Sequence, residues 1–475
     1  MDSQNSCSNK SVSSDKFWYI CIWGIIFTGI ILRLSFVLFN AGLWHDECAL
    51  AINILDRDFS GLLQPLRFLQ IVPPLFLLLS KFLISIFPCH GNMDLTDFVF
   101  RVIPLCGGIG SILAFYYLLK NLFQNKAVIL FGVAMAALSP ALINYSYEFK
   151  PYSTDVLIGI LLMIYFLKVN NLSYIKQIVH SVGLFCLVMF SLPAAFVSIA
   201  GMFPLLMKDR KKFICAIVPF LLCFGIYYLL YLKGILEFHG AKMNHNWNDY
   251  FITFSNFFSV LLFYIKVNLN MFVFPIITFL FSVAGIFYIW KKDKTAAIII
   301  SVVLCEVLTA SALRIYPIDP RTQLFLIPFL ILLICSFLDR LCVKNIMKVC
   351  GGVFVIVCVL INLYSGRFVL VNKAVGDAKQ LIITTAEEAI PDNCAVVIPR
   401  ESNVEWIYYS RFFNFPEDKI YLQGWTEDDN WWLSHIPDKF YYYAPYEPVI
   451  HESIAAKEPQ LSAKGIFSGI VLKVN

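Results

Sequence analysis

The sequence places an acidic pair just beyond its first long apolar stretch, in Leu43-Trp44-His45-Asp46-Glu47-Cys48. Adjacent carboxylates raise one another's pKa unless a cation or a proton-donating substrate lies between them, so the pair suits a general base or a metal ligand. Asp46 equally suits the N-cap of a helix continuing through Ala49 to Leu55, and the two roles are compatible. A second group, Tyr145-Ser146-Tyr147-Glu148-Phe149-Lys150-Pro151-Tyr152-Ser153-Thr154-Asp155, gathers carboxylates, an ammonium and phenols where two apolar runs meet. An aromatic belt with a snorkelling lysine would explain much of it, yet an acid as close to hydrocarbon as Asp155 calls for a partner and a function. Arg101, Arg314 and Arg321 border the ends of apolar runs. Any one of them could snorkel or bind lipid headgroups, but arginine also grips phosphate at two points. Together these groups describe a site for a substrate with a lipid tail and an anionic head, and a phosphate linked to a sugar fits. A carboxylate would accept the proton of an incoming hydroxyl while the cations stabilise the phosphate that departs. Neither a nucleotide P-loop nor a dinucleotide glycine fingerprint is present.

Such groups need elements to hold them, and composition says what kind. Of 475 residues, 59% are hydrophobic and 15% charged, with a mean hydropathy of +0.72. That excludes a water-soluble globule, a disordered chain and a collagen-like fibre. A net charge of +5 is too small for a nucleic-acid footprint, so no nucleic-acid partner is expected. The fourteen cysteines are scattered without a C-x-x-C pattern. The chain reads as a polytopic α-helical membrane protein. Apolar runs at 17–39, 98–119, 127–144, 154–167, 177–190, 194–206, 213–232, 260–290, 295–313, 322–338 and 346–364 make about eleven transmembrane helices, some of them shorter than the roughly 20 residues that a bilayer needs.

The run 71–87 opens with Pro73-Pro74 and carries Lys81 in its middle. Counted as non-spanning, it leaves every basic loop cluster, from Lys120/Lys126 to Arg340/Lys344/Lys348, on the cytoplasmic side; counted as spanning, it flips nearly all of them outward. It is therefore expected to lie along the outer interface as a juxtamembrane helix. The resulting map has a cytoplasmic tail at 1–16, a transmembrane region at 17–364 with a first outer loop at 40–97, and a small extracytoplasmic α/β domain at 365–475. In that domain 394–398, 419–422, 440–443 and 470–474 read as strands and 377–389 as a helix. Cys48 and Cys89 share the first outer loop, where an oxidising exterior permits a disulfide.

Trp44-His45-Asp46-Glu47, Val72-Pro73-Pro74-Leu75, Phe100-Arg101-Val102-Ile103-Pro104, Tyr147-Glu148-Phe149-Lys150-Pro151-Tyr152 and Pro320-Arg321-Thr322-Gln323-Leu324 follow one another as in the lipid-linked-sugar glycosyltransferases of the GT-C superfamily. The chain resembles most the protein O-mannosyltransferase and aminoarabinose-transferase branch, well over 17–212 and more thinly beyond. The resemblance implies a multi-span transferase with its catalytic acid in the first outer loop, juxtamembrane helices and an outer soluble domain. It implies Asp46, Glu47 and Glu148 as catalytic residues, with Asp46 as base, and Lys150, Tyr147, Tyr152, Arg101, Arg321, Pro73 and Pro74 as substrate-binding residues. Lys150 falls where an Arg is frequent, which keeps the charge but loses the bidentate fork. The stretch 64–71 lacks a His that often precedes the paired prolines. The partners implied are a polyprenyl-phosphate-linked sugar donor, a lipid, glycan or protein acceptor, and membrane lipids. No cofactor is required, although a divalent metal is compatible with the carboxylates. A bacterial cytoplasmic membrane, with the site facing the periplasm or exterior, is the expected location. A transporter or flippase using the same charges is the competing reading; Glu306 and the break at Pro193 are its few mid-membrane features.

Overall fold

The computed structural model describes residues 2–38, 42–89, 91–169, 172–238, 248–253, 256, 258, 275–341, 378–387, 395–398, 402–415, 417–422, 440–444, 461–466 and 469–474. The helices are α1 (Asp2–Leu38), α2 (His45–Asp56), α3 (Pro74–Ile86), α4 (Met93–Leu122), α5 (Lys126–Leu138), α6 (Pro140–Asn144), α7 (Tyr152–Lys168), α8 (Tyr174–Val188), α9 (Ala194–Lys208), α10 (Arg210–Tyr227), α11 (Pro275–Lys292), α12 (Lys294–Ala312), α13 (Ile327–Leu341), α14 (Ala378–Glu387) and α15 (Asn403–Tyr409). Among the described residues five helical stretches are long and apolar enough to cross a membrane: Lys16–Ser35, Met93–Leu122, Arg210–Phe238, Lys294–Ala312 and Leu324–Leu341. α3, α5, α8 and α9 are shorter apolar helices. The expected run 346–364 and the first part of 260–290 lie outside the described residues.

Local chemistry explains where the helices start and stop. Asn92, Asn125, Ser173, Asp209 and Asp293 each accept a hydrogen bond from a backbone N–H in the first turn that follows, satisfying donors a helix start leaves orphaned. The apolar run 127–144 is not one helix. Ser139-Pro140 divides it, because Pro140 lacks the N–H that a continuing helix needs and fits the first position of a new one. Carbonyls left open at that break are taken by Arg33 of α1, whose guanidinium donates to Ala137 O at 2.7 Å and Ala136 O at 3.2 Å. A fully buried arginine in an apolar helix is thereby spent on joining α1 to the α5–α6 junction.

α4 lies against the segment leading into α7 with almost no gap. A Cβ at Gly107 would stand 2.9 Å from Thr154 N, and one at Gly108 would stand 2.3 Å from the Ser146 Cβ. Ser153 Oγ donates to the Pro104 carbonyl at 2.7 Å in the same contact. These small residues bring the 145–155 segment onto α4 and so fix where its charged side chains emerge.

The region between α1 and α4 has its own apolar core. Leu50, Ile52 and Ile54 of α2, Phe76 and Leu77 of α3, Phe100 of α4 and Phe149 pack together with Leu381, Ile382, Val396, Ile398, Val404, Trp406, Tyr408 and Tyr409. The C-terminal elements therefore cover that region. They carry a five-stranded sheet in the order β2-β1-β3-β5-β4, from β1 (Ala395–Ile398), β2 (Ile420–Leu422), β3 (Phe440–Ala444), β4 (Leu461–Ile466) and β5 (Gly469–Val474). β1 runs parallel to β2 and β3, and β5 antiparallel to β3 and β4. Four of these strands coincide with runs read from sequence; β4 and α15 were not anticipated. α15 reads Asn-Val-Glu-Trp-Ile-Tyr-Tyr, whose β-branched and aromatic residues favour a strand in isolation.

Two expectations need correction. Asp46 does not cap α2: the helix starts at His45, and Glu47 accepts the Trp44 backbone N–H at 3.1 Å. Cys48 and Cys89 are both free thiols. Cys48 is inside the α2 core with its Sγ donating to Leu43 O at 3.3 Å, while the Cys89 carbonyl accepts from Thr96 in the turn entering α4. α3 buries Phe76, Leu77 and Ser80 and exposes the apolar Leu79, Phe82 and Ile86. Its Lys81 donates to Ile54 O at 2.8 Å, compensating the carbonyl end of α2.

Candidate functional site

Consecutive residues on a helix point about 100° apart, so Asp46 and Glu47 leave α2 on different sides. Asp46 Oδ2 meets Arg321 Nη1 at 3.0 Å, both side chains partly open at 30% and 24% exposed. Arg321 is itself held: its Nε and backbone N–H both donate to Asp319 Oδ1, at 3.2 and 2.9 Å. Gln323 Nε2 and Thr322 Oγ1 donate to Pro317 O, and Tyr316 OH donates to Thr322 O, so the loop carrying the arginine is bonded to itself.

Lys150 enters from the other direction. Its ammonium is buried and donates to Gln70 Oε1, and its backbone N–H donates to Glu148 O at 2.7 Å. Burial pulls the Lys150 ammonium below its ordinary value, with Asp46 and Glu148 opposing the shift without cancelling it. For Asp46 the balance goes the other way. Burial would lift its carboxyl, but the charges of Lys150, Arg321 and His45, with the Gln70 amide, hold it below the usual carboxylate range. Asp46 is thus an ionised oxygen pair between two cations, each from a segment distant in sequence.

Glu47 is fully buried, and its carboxylate is consumed by structure: Oε1 accepts from Phe149 N, Oε2 from Trp44 N, and Arg101 Nη2 stands 3.7 Å away. Arg101 also donates to Gly42 O at 2.9 Å. These two expected site residues are placed behind the 145–151 segment, where they tie it to α2 and α4. The acidic pair consequently does not converge on one point: each acid has its own arginine. Among the described residues no group of three or more His, Cys, Asp and Glu is placed to hold a metal ion.

The remaining expected residues divide similarly. Glu148 is buried beside Lys150. Tyr147 is buried with its hydroxyl donating to Asn144 Oδ1 at 2.6 Å, and burial followed by the Glu47 and Glu148 charges pushes its phenol upward. Tyr152 packs edge-on against Tyr145, ring centroids 5.4 Å apart, within the field of Arg321. Pro73 and Pro74 are buried at the start of α3, where Leu75 N donates to Met189 O and Phe76 stacks on Phe149. Arg314 is exposed past the end of α12 and stands apart from the cluster.

Sequence reasoning missed the groups that hold this arrangement. Gln70 accepts from Lys150 and acts on Asp46, favouring its ionised form, and follows Phe68 and Leu69, whose φ of 60° and 55° is left-handed without glycine. Such backbone costs about 1 kcal/mol or more per residue. His45 Nδ1 lies 3.1 and 3.2 Å from the two carboxylate oxygens of Glu405 in α15. Burial works to lower the His45 pKa, and the Glu405 bond with the Glu405 and Asp46 charges raises it above its ordinary value. A further latch joins the same regions: Asp97 accepts from Tyr408 OH at 2.8 Å and lies 3.2 Å from Lys379 Nζ, and Leu43 N donates to Tyr409 OH. A polar residue read singly between leucine and isoleucine, as Gln70 is, gives no sign that it is buried.

No protein-family model matches the chain, and a search of curated proteins finds no match. Solved structures do match. ArnT from Cupriavidus metallidurans in the apo state superposes with a TM-score of 0.57 at 11% identity, covering 97% of this chain and 98% of that one. The same protein bound to undecaprenyl phosphate gives a TM-score of 0.56 at 10% identity over the same shares. Over nearly its whole length the chain therefore carries the fold of ArnT, in keeping with the GT-C resemblance of its motifs.

Proposed function

We propose that the protein is a membrane glycosyltransferase that moves one sugar from a polyprenyl-phosphate-linked donor to an acceptor hydroxyl, with inversion, on the outer face of the membrane. The observation that carries this reading is the convergence of Asp46, Lys150 and Arg321, one carboxylate with two cations brought to it from two distant segments. A neighbour of the same fold bound to undecaprenyl phosphate supports a polyprenyl phosphate as the partner. In this reading the chain crosses the bilayer about eleven times, residues 365–475 form an extracytoplasmic α/β domain, and the site faces the periplasm or exterior of a bacterial cytoplasmic membrane.

The reaction is one in-line displacement. The acceptor oxygen forms a bond to the anomeric carbon as the bond from that carbon to the phosphate oxygen breaks. The acceptor proton passes to Asp46, and the electron pair leaves with the polyprenyl phosphate. Negative charge develops on the departing phosphate, where Arg321 supplies a planar fork and Lys150 a point charge. A phosphate that engages both cations withdraws them from Asp46, so donor binding itself raises the basicity of the carboxylate. Glu47, Arg101 and Glu148 hold the 145–151 segment in place, Tyr147 and Tyr152 line it, and Pro73-Pro74 set the entry of α3.

The test is sugar transfer by Asp46→Asn in liposomes supplied with polyprenyl-phosphate sugar. The expected result is a folded, membrane-inserted protein that makes no product; full activity would remove the mechanism.

A further inference from the structure

Gln70 belongs to none of the motifs above, yet it fills the gap between the carboxylate and the buried ammonium. Its side chain is 7% exposed. Oε1 accepts from Lys150 Nζ, Nε2 donates to Phe68 O at 3.0 Å, and the amide also acts on Asp46, favouring its ionised form. A primary amide has an acceptor at one end and two donors at the other, so it alone among side chains of this size can serve an ammonium, a carboxylate and a carbonyl together. Leucine offers none of these, and glutamate would face Asp46 with a like charge.

The loop that carries Gln70 is constrained on both sides. Asn53 of α2 clamps Arg67 in both directions, accepting from its N–H at 2.8 Å and donating to its O at 3.2 Å. Phe68 and Leu69 then take left-handed backbone that such side chains rarely adopt, and Pro73-Pro74 stiffen the exit. Conformation that residues disfavour persists where the surroundings over-determine it. Here the determined feature is the direction in which Gln70 points.

We infer that Gln70 is a positioning residue: a neutral spacer that keeps Lys150 and Asp46 from closing into a direct ion pair and aims both at the donor phosphate and acceptor hydroxyl. The inference rests on the transferase reading of this site. A direct pair would spend the ammonium on the carboxylate instead of the phosphate, and would leave the carboxylate a poor proton acceptor.

The experiment compares wild type, Gln70→Leu, Gln70→Glu and Leu69→Gly as full-length protein in liposomes with polyprenyl-phosphate sugar, reading kcat, KM for donor and the pH profile. Asp46 is faced by Lys150 from the 145–151 segment, by Arg321 from the loop before α13 and by His45 on its own helix, with Glu148, Tyr152, Asp319 and Glu405 behind them. Gln70→Glu adds a carboxylate to that set, so both limbs of the profile move to higher pH, since it disfavours ionised Asp46 and favours protonated Lys150. Gln70→Leu lowers kcat about 100-fold, the scale of a 1 Å misplacement, with a much smaller change in donor KM. Leu69→Gly keeps the amide and frees the loop, lowering kcat while both limbs stay in place. If Gln70→Leu fails to fold, Gln70→Glu and Leu69→Gly still decide. An active wild type with Gln70→Glu unchanged in pH limbs, or Leu69→Gly unchanged in kcat, overturns the role of Gln70 alone. A wild type that transfers no sugar overturns the transferase reading, and this inference with it.

Discussion

Asp46 and Glu47 are neighbours in sequence and opposites in setting. Asp46 faces Arg321 across a pair that solvent reaches, whereas Glu47 and Arg101 are enclosed, with the carboxylate saturated by two backbone N–H groups. Two ion pairs of the same composition therefore do different work. The open one can exchange partners when an anion arrives; the closed one would leave a buried charge uncompensated if either member let go. Solvent access and spare lone pairs, not charge, separate a group available for chemistry from one that holds the frame.

That contrast can be broken experimentally, beginning with its largest consequence. Asp46→Asn is expected to lower transfer by about 1,000-fold or more with only a small loss of melting temperature, measured by product formation and thermal unfolding on one preparation. Glu47→Ala is expected to do the reverse in kind, costing about 3–5 kcal/mol of stability, seen as lost folded yield; a stable, inactive Glu47→Ala protein would make the two residues equivalent and defeat the comparison. Arg321→Lys keeps the charge and loses the fork, and a donor KM raised about tenfold is expected, about 1.4 kcal/mol, with folding intact.

The pH profile of kcat/KM sharpens the comparison further. Because Asp46 is held low, its base form persists below the ordinary carboxylate range; because Lys150 is held low, its charge is lost before the ordinary 10.5. The active window is expected to extend further into acid, and less far into alkali, than unperturbed groups allow. The stability attached to Asp46 is present above its unfolded value and is lost as pH falls through the lower folded one. His45 has the opposite sign: its folded value is raised, so the Glu405 contact stabilises fully below about 6.5 and fades as pH rises through the folded value. Glu405→Gln is expected to lower the melting temperature by about 1–2 °C at pH 6 and by less at pH 8.

Apolar runs were legible in sequence because hydropathy is a local property, whereas the one cap read there, Asp46, is not a cap in the fold. The run 127–144 divides at Ser139-Pro140 for an equally local reason, although composition alone had merged it. The charges at Asp46, Lys150 and Arg321 were legible as types and as members of an ordered motif set. Their division of labour was not, because the partners of Asp46 come from 150 and 321, and those of Glu47 from 101 and 149. Gln70 and Glu405 escaped for the same reason: each is significant only through a contact distant in sequence.

By itself the sequence determined a helical membrane-type chain, a helix starting at Pro73-Pro74 and an acid just past the first apolar stretch, since hydropathy, proline geometry and charge act locally. Tertiary structure decided which of two adjacent acids stays open, which cations face it, and that α15 packs on α2 and α4 through Tyr408, Tyr409 and Glu405. Those outcomes depend on burial and on the pairing of distant groups. Both become defined only when α2, α4, the 145–151 segment and the C-terminal elements share one core.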